Sequence, residues 1–447
     1  MKIAFYTLGC KLNQYESEAL ASSFRSQGFL IVPPGRAADI YIINTCTVTS
    51  KSDQKARRLI RKLSKEHPDA SLIITGCYAE LNPESILELG GNISIVPQSQ
   101  KDLLLDFPVI FKKLLSGNDL PGQSRKVIGN LLKSHNEAAA NRFRFEVSRF
   151  TFHSRAALKI QDGCDNLCSY CRVPLARGRS VSLFKREILN RVGRLEQEGY
   201  REIVLTGVNI SSYFDAGTSL SDLLKLIVTE TERVRFRLSS LEPDGITAGL
   251  LDVLSEKRIC PHFHIPVQSG SDAILTRMHR EYTAAQLREI VTRLKTVKAE
   301  PFLAADIIVG FPGESDKDFT ATLRLVEELE FTKLHVFPYS PRPGTQAARL
   351  KDDIPSRVKK ERSRVLREIS DTMLLEYCKQ NRGKTREAVL EGRTGHDGTT
   401  AWVGRTENYL PLIITGLPAE SPHSGLLLRC EVFLSGDTYY GHFVDFI

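Results

Sequence analysis

The first hundred residues alternate short apolar runs with amphipathic segments. Apolar runs at 2–8, 38–46 and 70–77 predict three strands, and the segments at 15–29 and 50–67 carry apolar residues at helical spacing. Ser and Asp near the start of the second helical segment are typical of a helix N-terminus. This strand–helix rhythm favours an α/β fold with an open, mostly parallel sheet.

Each of these three predicted strands ends near a cysteine. Cys10, Cys46 and Cys77 lie at or just after the carboxyl ends of the strands, whereas cysteines that only fill a core would fall in the middle of a strand. The carboxyl ends of strands in an open parallel sheet line the crevice where ligands bind. The pattern therefore indicates that the three thiols converge on one functional point.

A second alternation of strands and helices starts near residue 155. Six strands are predicted, at 156–160, 202–207, 235–240, 262–267, 302–310 and 333–340. Helical patterns lie between them, and six β/α units suggest a partial (β/α)6 barrel. Functional groups are then expected at the carboxyl ends of its strands.

The C-terminal part has a different texture. A long polar helix is predicted at about 355–381, and the chain then shows short strands separated by glycine turns. These features predict a small antiparallel β-barrel over 380–447. The segment 112–150 has no sustained period and is interpreted as a basic connector, with its aromatic-basic piece 142–150 as a possible strand or RNA-facing edge.

Composition and charge narrow the class of protein. Hydrophobic residues make up 41% of the chain and charged residues 26%, and no apolar run is as long as a membrane span, so we expect a cytoplasmic protein without a membrane partner. The net charge is +8; residues 51–67 hold seven Lys/Arg against two Asp/Glu, and residues 111–160 hold ten against three. Both stretches suit a phosphate backbone, but a solvated helix face and a flexible linker explain them equally well.

Three of the nine cysteines crowd into one loop. Cys164, Cys168 and Cys171 form a C-x3-C-x2-C array directly after the first strand of the second alternation. Structural zinc prefers four ligands, and no fourth Cys or His lies nearby. A set of three thiolates instead suits an iron–sulfur cluster with one open iron. The isolated cysteines, Cys260, Cys378 and Cys430, are interpreted as packing residues, and His262 and His264 as ordinary strand residues.

With this array on a partial (β/α)6 barrel, the chain resembles the radical S-adenosylmethionine (SAM) superfamily. The N-terminal three-cysteine domain and the C-terminal barrel extend the resemblance to the methylthiotransferase family over essentially the whole chain. The resemblance implies two [4Fe–4S] clusters and SAM as cofactors, with Cys164, Cys168 and Cys171 on the radical-generating cluster and Cys10, Cys46 and Cys77 on the second. It also implies a TRAM-like RNA-binding barrel. The expected domains are 1–111 (second cluster), 112–150 (connector), 151–379 (radical SAM core) and 380–447 (TRAM-like barrel).

The resemblance also suggests contact residues. Those expected to bind SAM are Thr206, Gly207, Asn209, Ser239, Gln268 and Gly310, at or after the ends of predicted strands. Residues 278–283 (MHREYT) resemble the M-x-R-x-Y-T box of the family. Those expected to bind RNA are Arg57, Arg58, Arg61, Arg382, Lys384 and Arg386. From residue 380 onward, however, six Lys/Arg face eight Asp/Glu, so the basic segments are expected to supply most of the phosphate contact.

The residues after Cys10 indicate a branch of the family. L-G-C-K-L-N-Q-Y-E resembles enzymes that convert N6-threonylcarbamoyladenosine beside the tRNA anticodon, at position 37, into its 2-methylthio form. The isopentenyladenosine branch tends to show G-C-Q-M-N and the ribosomal-protein branch G-C-P-K-N. The implied partners are the tRNA anticodon loop, a reductant such as flavodoxin or ferredoxin, and a sulfur donor, for a monomeric enzyme. The alternatives are those two branches, a non-catalytic iron–sulfur RNA-binding protein and a two-zinc scaffold.

Overall fold

The computed structural model describes residues 1–115, 141–147, 149–396, 399–418, 422–436 and 438–447. The chain divides into two compact units. The first unit consists of residues 1–152, 162–166 and 171–180, and the second of residues 153–161, 167–170 and 181–447.

The first unit is built on a five-stranded parallel sheet with the order β2-β1-β3-β4-β5. Its strands are β1 (Lys2–Thr7), β2 (Leu30–Val32), β3 (Ile40–Thr45), β4 (Ser71–Gly76) and β5 (Ile93–Ile95). The three predicted strands are confirmed as β1, β3 and β4, which form the centre of the sheet. The two edge strands have three residues each, too few for an apolar pattern to be recognised.

Helices cover the sheet of the first unit. They are Lys11–Ser26, Ser50–Glu66, Cys77–Leu81, Pro83–Leu87 and Phe107–Leu115, with a 3-10 segment at Gln98–Leu105 and a short helix at Val173–Arg177. The helix Ser50–Glu66 starts where predicted, because the Thr49 side chain accepts a hydrogen bond from the Ser52 amide. Ala56, Ile60 and Leu63 form its buried stripe. The opposite face of this helix is left to basic side chains.

The connector prediction falls mostly on residues 116–140, outside the described residues. The possible strand at 142–150 is wrong, because the described residues of that segment form no strand. Phe145 and Val147 are instead buried, and the Tyr15 hydroxyl donates to the Phe145 carbonyl oxygen at 2.9 Å. The apolar side chains of this piece therefore belong to the core of the first unit.

Six parallel strands form two three-stranded sheets in the second unit, ordered β6-β9-β12 and β13-β14-β15. They are β6 (Ala156–Lys159), β9 (Glu202–Thr206), β12 (Arg235–Leu238), β13 (His262–Gln268), β14 (Phe302–Val309) and β15 (Lys333–Pro338). Short strands β7 (Gln161–Asp162), β8 (Val181–Ser182), β10 (Phe214–Asp215) and β11 (Thr218–Ser219) lie in the intervening segments. All six predicted strands are thus confirmed.

The helices of the second unit follow the strands. They are Lys185–Gln197, Leu220–Thr229, Ala248–Leu254, Asp272–Arg277, Ala284–Val297, Asp316–Leu329 and Ser356–Gln380, with 3-10 turns at Ile210–Ser212, Pro243–Gly245 and Ala347–Arg349. Ser219, Thr283 and Ser315 each begin a helix with a reciprocal capping box. None of the described helices is long and apolar enough to cross a membrane.

The chain ends in a closed barrel with the order β16-β17-β18-β20-β19. Its strands are β16 (Thr385–His396), β17 (Thr399–Thr406), β18 (Pro411–Thr415), β19 (Leu427–Ser435) and β20 (Thr438–Phe446). The prediction of a purely antiparallel barrel is wrong at one place, because β18 and β20 pair in parallel. A parallel neighbour pair requires a crossover connection, and the long segment between β18 and β20, including β19, provides it.

A buried ion network joins the C-terminal barrel to the strands of the second unit. The Glu202 carboxylate accepts from Arg235 Nε at 2.8 Å and from Arg237 Nε at 2.8 Å, and Arg237 also donates to the carbonyl oxygens of Thr406 and Glu407. Burial alone would raise the pKa of Glu202, but the two guanidinium groups hold it well below its ordinary value. This carboxylate is therefore ionised, and its removal would leave buried cations uncompensated.

Candidate cluster and cofactor sites

The three N-terminal cysteines come together in the first unit. Cys10 precedes the helix Lys11–Ser26 and is exposed, Cys46 follows β3, and Cys77 follows β4 directly. Burial, and then the neighbouring thiols of Cys10 and Cys77, raise the pKa of Cys46 to about 12. Because all three strands are parallel neighbours, their carboxyl ends bring the thiols to one edge of the sheet, as the sequence predicts.

Two glycines allow these loops to pack closely. Gly9 has φ +104°, and a Cβ at this position would overlap the Cβ of Cys46. Gly76 has φ +95°, and a Cβ there would overlap the carbonyl oxygen of Thr45. Both positions require the left-handed backbone that glycine adopts without strain. Each glycine immediately precedes a cysteine, so the approach of the thiols depends on the absence of side chains.

A buried polar network lies beside the thiols. Arg177 donates to Glu16 and Asp162 at 3.0 Å and to Asn13 at 2.7 Å, and its guanidinium also contacts the Cys77 thiol. Lys101 donates to Glu16 at 2.6 Å and is 1% exposed. The sequence analysis missed this network, because lone Arg, Lys and Glu residues in a helix or loop ordinarily face solvent.

The donor set fits an iron–sulfur cluster better than a single ion. Within the described ranges, no group of three or more His, Cys, Asp or Glu residues has the geometry to hold one metal ion. A single zinc requires sulfur ligands at about 2.3 Å from one point, whereas thiolates on a [4Fe–4S] cluster bind different irons and stand farther apart. Three converging thiols beside the Arg177 guanidinium, which hydrogen-bonds the Cys77 thiol, suit a thiolate-held cluster.

The cysteines of the C-x3-C-x2-C loop are assigned to different units. Cys164 and Cys171 belong to the first unit and Cys168 to the second, and each is partly exposed. The Cys164 amide donates to the Gly178 carbonyl oxygen at 3.1 Å, and the Val173 amide donates to Cys171 Sγ at 3.4 Å. These backbone bonds shape the first-unit parts of the loop.

Cys168 has a side-chain partner that sequence reasoning did not identify. Arg280 Nη1 donates to Cys168 Sγ at 3.1 Å. The same guanidinium forms an ion pair with Glu242 and donates from Nε to the Tyr282 hydroxyl at 2.9 Å. Tyr282 is fixed in turn by donating to the Pro266 carbonyl oxygen at 2.5 Å. Arg280 and Tyr282 belong to the M-x-R-x-Y-T box, and the box thus supports a cysteine of the loop.

The residues expected to bind SAM all lie at carboxyl ends of parallel strands. Thr206 and Gln268 end β9 and β13, Gly207 and Asn209 follow β9, Ser239 follows β12, and Gly310 follows β14. Asn209 is 6% exposed, and its backbone N–H donates to Gln161 Oε1 at 2.8 Å. In the described part of the chain, no group donates a hydrogen bond to its side-chain Oδ1. A buried acceptor without a partner is the kind of group that a polar ligand satisfies.

Two of these positions have unusual backbone conformations. Gln268 has φ +63°, in the left-handed region that non-glycine residues rarely adopt. Gly310 has φ +69°, and a Cβ there would overlap the side chain of Lys359. Non-glycine residues held in this region cluster at ligand-binding sites, which agrees with the expected role of Gln268, whereas Gly310 adopts its conformation without strain.

The residues expected to bind RNA fall into two groups. Arg57, Arg58 and Arg61 line a basic groove of about 410 Å³ on the helix Ser50–Glu66. Lys384 and Arg386 instead form ion pairs with Glu300, so their charges are already compensated within the second unit. The groove is therefore the stronger of the two candidate phosphate surfaces. Arg382, also expected to bind RNA, is exposed.

Two protein-family models match regions of this chain, and individual proteins resemble it over nearly its full length. Residues 2–97 match the uncharacterized protein family UPF0004, and residues 158–326 match the radical SAM superfamily. The chain is 38% identical to the threonylcarbamoyladenosine tRNA methylthiotransferase MtaB of Treponema pallidum, over 95% of this chain and 97% of the relative. It is 36% identical to the protein of the same name in Bacillus subtilis, over 99% of this chain and 96% of the relative.

Two further comparisons are more distant. The chain is 34% identical to a tRNA-2-methylthio-N(6)-dimethylallyladenosine synthase of Endomicrobium trichonymphae, over 88% of this chain and 89% of the relative. The solved structure of the radical S-adenosylmethionine methyltransferase TsrM from Kitasatospora setae covers 89% of this chain and 79% of its own, with a TM-score of 0.54 and 14% identity. At that identity the likeness concerns the fold alone.

Proposed function

The chain belongs to the radical SAM methylthiotransferase family, and we propose that it converts N6-threonylcarbamoyladenosine of tRNA into its 2-methylthio derivative. The observation that carries this proposal is the identity of 38% and 36%, over nearly the full length of both chains, to relatives named for that nucleoside. The family's carbon–sulfur chemistry needs thiolate-held clusters, and the thiols of Cys10, Cys46 and Cys77 meet in the first unit. The modified position is 37, next to the anticodon.

Two [4Fe–4S] clusters and SAM are the cofactors. Cys10, Cys46 and Cys77 hold one cluster, and Cys164, Cys168 and Cys171 hold the other. When bound, the cluster of Cys164, Cys168 and Cys171 would supply, together with SAM, the one-electron chemistry that removes hydrogen from an unactivated carbon, and another SAM would supply the methyl group. The protein binds, orients and shields these groups.

The side chains around the cysteines have separate tasks. Arg177 hydrogen-bonds the Cys77 thiol, and the charges of Arg177 and Lys101 oppose the effect of burial and so favour the thiolate that a cluster ligand must be. Arg280 holds Cys168 Sγ through a hydrogen bond, and Glu242 and Tyr282 fix its orientation. Arg280 is therefore a positioning residue for Cys168. Its hydrogen bond also tunes the reduction potential of the cluster, as hydrogen bonds to cluster sulfurs do.

The strand ends of the second unit bind SAM. The contact residues are Thr206, Gly207, Asn209, Ser239, Gln268 and Gly310. Asn209 is the best supported of them, because its buried Oδ1 accepts no hydrogen bond from the described residues and can accept one from an amino group of the ligand. The glycines let the ligand approach the backbone closely.

The tRNA is held mainly by the basic groove of the helix Ser50–Glu66, through Arg57, Arg58 and Arg61. The C-terminal barrel, 380–447, is a TRAM-like module that adds contacts from Arg382, Lys384 and Arg386. We further propose a cytoplasmic monomer that draws electrons from flavodoxin or ferredoxin and sulfur from a separate donor. We also propose that the domains of the chain meet at residues 111, 150 and 379.

Nucleoside mass spectrometry of tRNA tests the function. Cells that lack this protein should lose 2-methylthio-N6-threonylcarbamoyladenosine and accumulate the unmethylthiolated nucleoside, and a plasmid copy should restore the product. Loss of the 2-methylthio-N6-dimethylallyl nucleoside instead would assign the chain to the branch of the Endomicrobium relative. An unchanged nucleoside profile would refute both assignments.

A further inference from the structure

A polar cluster lies on one face of the sheet β13-β14-β15. In the parallel register, His264 pairs with Ala304 and Asp306 pairs with His335, so these side chains share one face of three adjacent strands. The imidazole rings of His264 and His335 stack with centroids 5.1 Å apart. His264 Nε2 lies 2.9 Å from Asp306 Oδ1, within ion-pair distance but outside hydrogen-bond geometry.

This cluster is open to a ligand. About a fifth to a quarter of the side chains of His264 and Asp306 is accessible, and His335 is exposed. Strand positions in the middle of a parallel sheet are usually apolar and closed on both faces. Two imidazoles and a carboxylate at such positions, accessible from one side, are a polar set that a ligand can reach.

Backbone contact links the strand of His264 to the partners of Cys168. The Leu241 backbone amide donates to the His264 carbonyl oxygen at 2.8 Å, so Glu242, the next residue, lies beside the strand of His264. Glu242 pairs with Arg280, which donates to Cys168 Sγ. The histidines therefore lie in the same part of the second unit as the cysteine of the radical-generating loop, a few side chains deeper along the strands.

The chemistry of the proposed substrate matches this cluster. The threonylcarbamoyl group on N6 carries a carboxylate, a hydroxyl and ureido N–H groups, whereas a dimethylallyl group is purely apolar. Imidazole N–H groups donate to carboxylates, and such charge-assisted bonds are stronger than neutral ones. A site built to hydrogen-bond a substrate group also discriminates strongly against analogues that lack it, because its polar side chains are then left unpaired.

We propose that His335, with the stacked His264 behind it, binds the carboxylate of the threonylcarbamoyl group and so selects this nucleoside over one with an apolar N6 substituent. The inference rests on the proposed function and names the substrate contact within it. Asp306, within ion-pair distance of His264, supplies an acceptor for the hydroxyl or a ureido N–H group. His335 is a specificity-determining residue and takes no part in SAM cleavage.

The test measures binding of three anticodon stem-loop RNAs to the reconstituted full-length protein without oxygen. The RNAs carry adenosine, N6-threonylcarbamoyladenosine or the methyl ester of the latter, which masks the carboxylate. Wild-type protein should bind the acid about tenfold or more tightly than the ester. His335→Phe keeps an aromatic ring for the stack but has no N–H donor, so it should bind acid and ester equally and adenosine RNA as tightly as wild type.

The controls separate this proposal from the proposed function. His423→Phe makes the same change at an exposed histidine of the C-terminal barrel and should keep the preference for the acid. If His335→Phe loses iron, His335→Gln replaces it in the comparison of acid and ester binding. The Gln side chain retains an N–H donor, so this variant should show an intermediate preference for the acid. A preference as large as that of the wild type in either variant, or no preference in the wild type, overturns the role of His335. Formation of the 2-methylthio product by wild type reports separately on the proposed function.

Discussion

At the scale of single residues, two glycines decide how closely the N-terminal cysteine loops approach each other. Gly9 and Gly76 both have positive φ and both face atoms of a neighbouring strand end, Cys46 Cβ for the first and the Thr45 carbonyl oxygen for the second. A side chain at either place meets a steric barrier in addition to backbone strain. Substitution therefore acts on the geometry of the thiols without removing a ligand.

Gly9→Ala should remove one cluster and leave the other. The added Cβ overlaps Cys46 and the alanine must hold φ +104°, which together cost about 1–3 kcal/mol at the position. Iron analysis after anaerobic reconstitution should show about four irons per chain in place of about eight.

Gly28→Ala is the matched control for this variant. Gly28 also has positive φ, +85°, but a Cβ there would meet no atom within 4 Å. The control therefore carries similar backbone strain without the overlap and should retain the full iron content. Equal iron in both variants would contradict the importance of the Cys46 contact.

At the scale of elements, the helix Ser50–Glu66 separates a structural face from a charged one. Ala56, Ile60 and Leu63 pack against the sheet, and the Thr49 cap fixes the start of the helix. Arg58 and Arg61 are exposed, and Arg57 donates to the Tyr78 hydroxyl at 3.0 Å. Charges on the exposed face can therefore be changed without unpacking the helix, and a phosphate surface can be tested directly.

We expect a variant with Glu in place of Arg57, Arg58 and Arg61 to bind tRNA about 10- to 100-fold more weakly at moderate salt. The reason is that phosphate contacts and the associated release of counterions are lost. Filter binding at several salt concentrations checks this, and the slope of log K against log salt should become shallower. The iron content should not change, since the groove does not include a cluster ligand.

A second triple variant is the control, because it makes the same change in net charge at a different place on the protein. Arg293 and Arg364 are exposed and Arg288 is partly exposed on helices of the second unit, and each already pairs with a carboxylate. Their reversal to Glu makes the same change in net charge and should alter tRNA affinity far less. Equal losses in both triple variants would mean that net charge, and not the groove, governs binding.

At the scale of the whole molecule, the strand pattern was predictable and the buried polar contacts were not. The six parallel strands of the second unit are apolar runs long enough to be recognised, whereas β2 and β5 have only three residues. Arg177, Lys101 and Arg280 carry no such signal, because a charged residue is ordinarily exposed and burial depends on partners distant in sequence. Only the folded chain brings Arg280 to Cys168, across 112 residues.

The proposal that each cysteine set holds its own cluster predicts that the two sets are separable by function. Changing Cys10, Cys46 and Cys77 to Ser should leave about four irons per chain and reductive cleavage of SAM, but abolish the methylthio product. Changing Cys164, Cys168 and Cys171 to Ser should also leave about four irons, but abolish SAM cleavage. Both triple variants need a melting temperature close to wild type to be compared. Iron analysis and chromatography of 5′-deoxyadenosine and of the modified nucleoside measure these outcomes. If the first variant failed to cleave SAM, the two sites would depend on each other for assembly, and the assignment of separate roles to the two sets would be wrong.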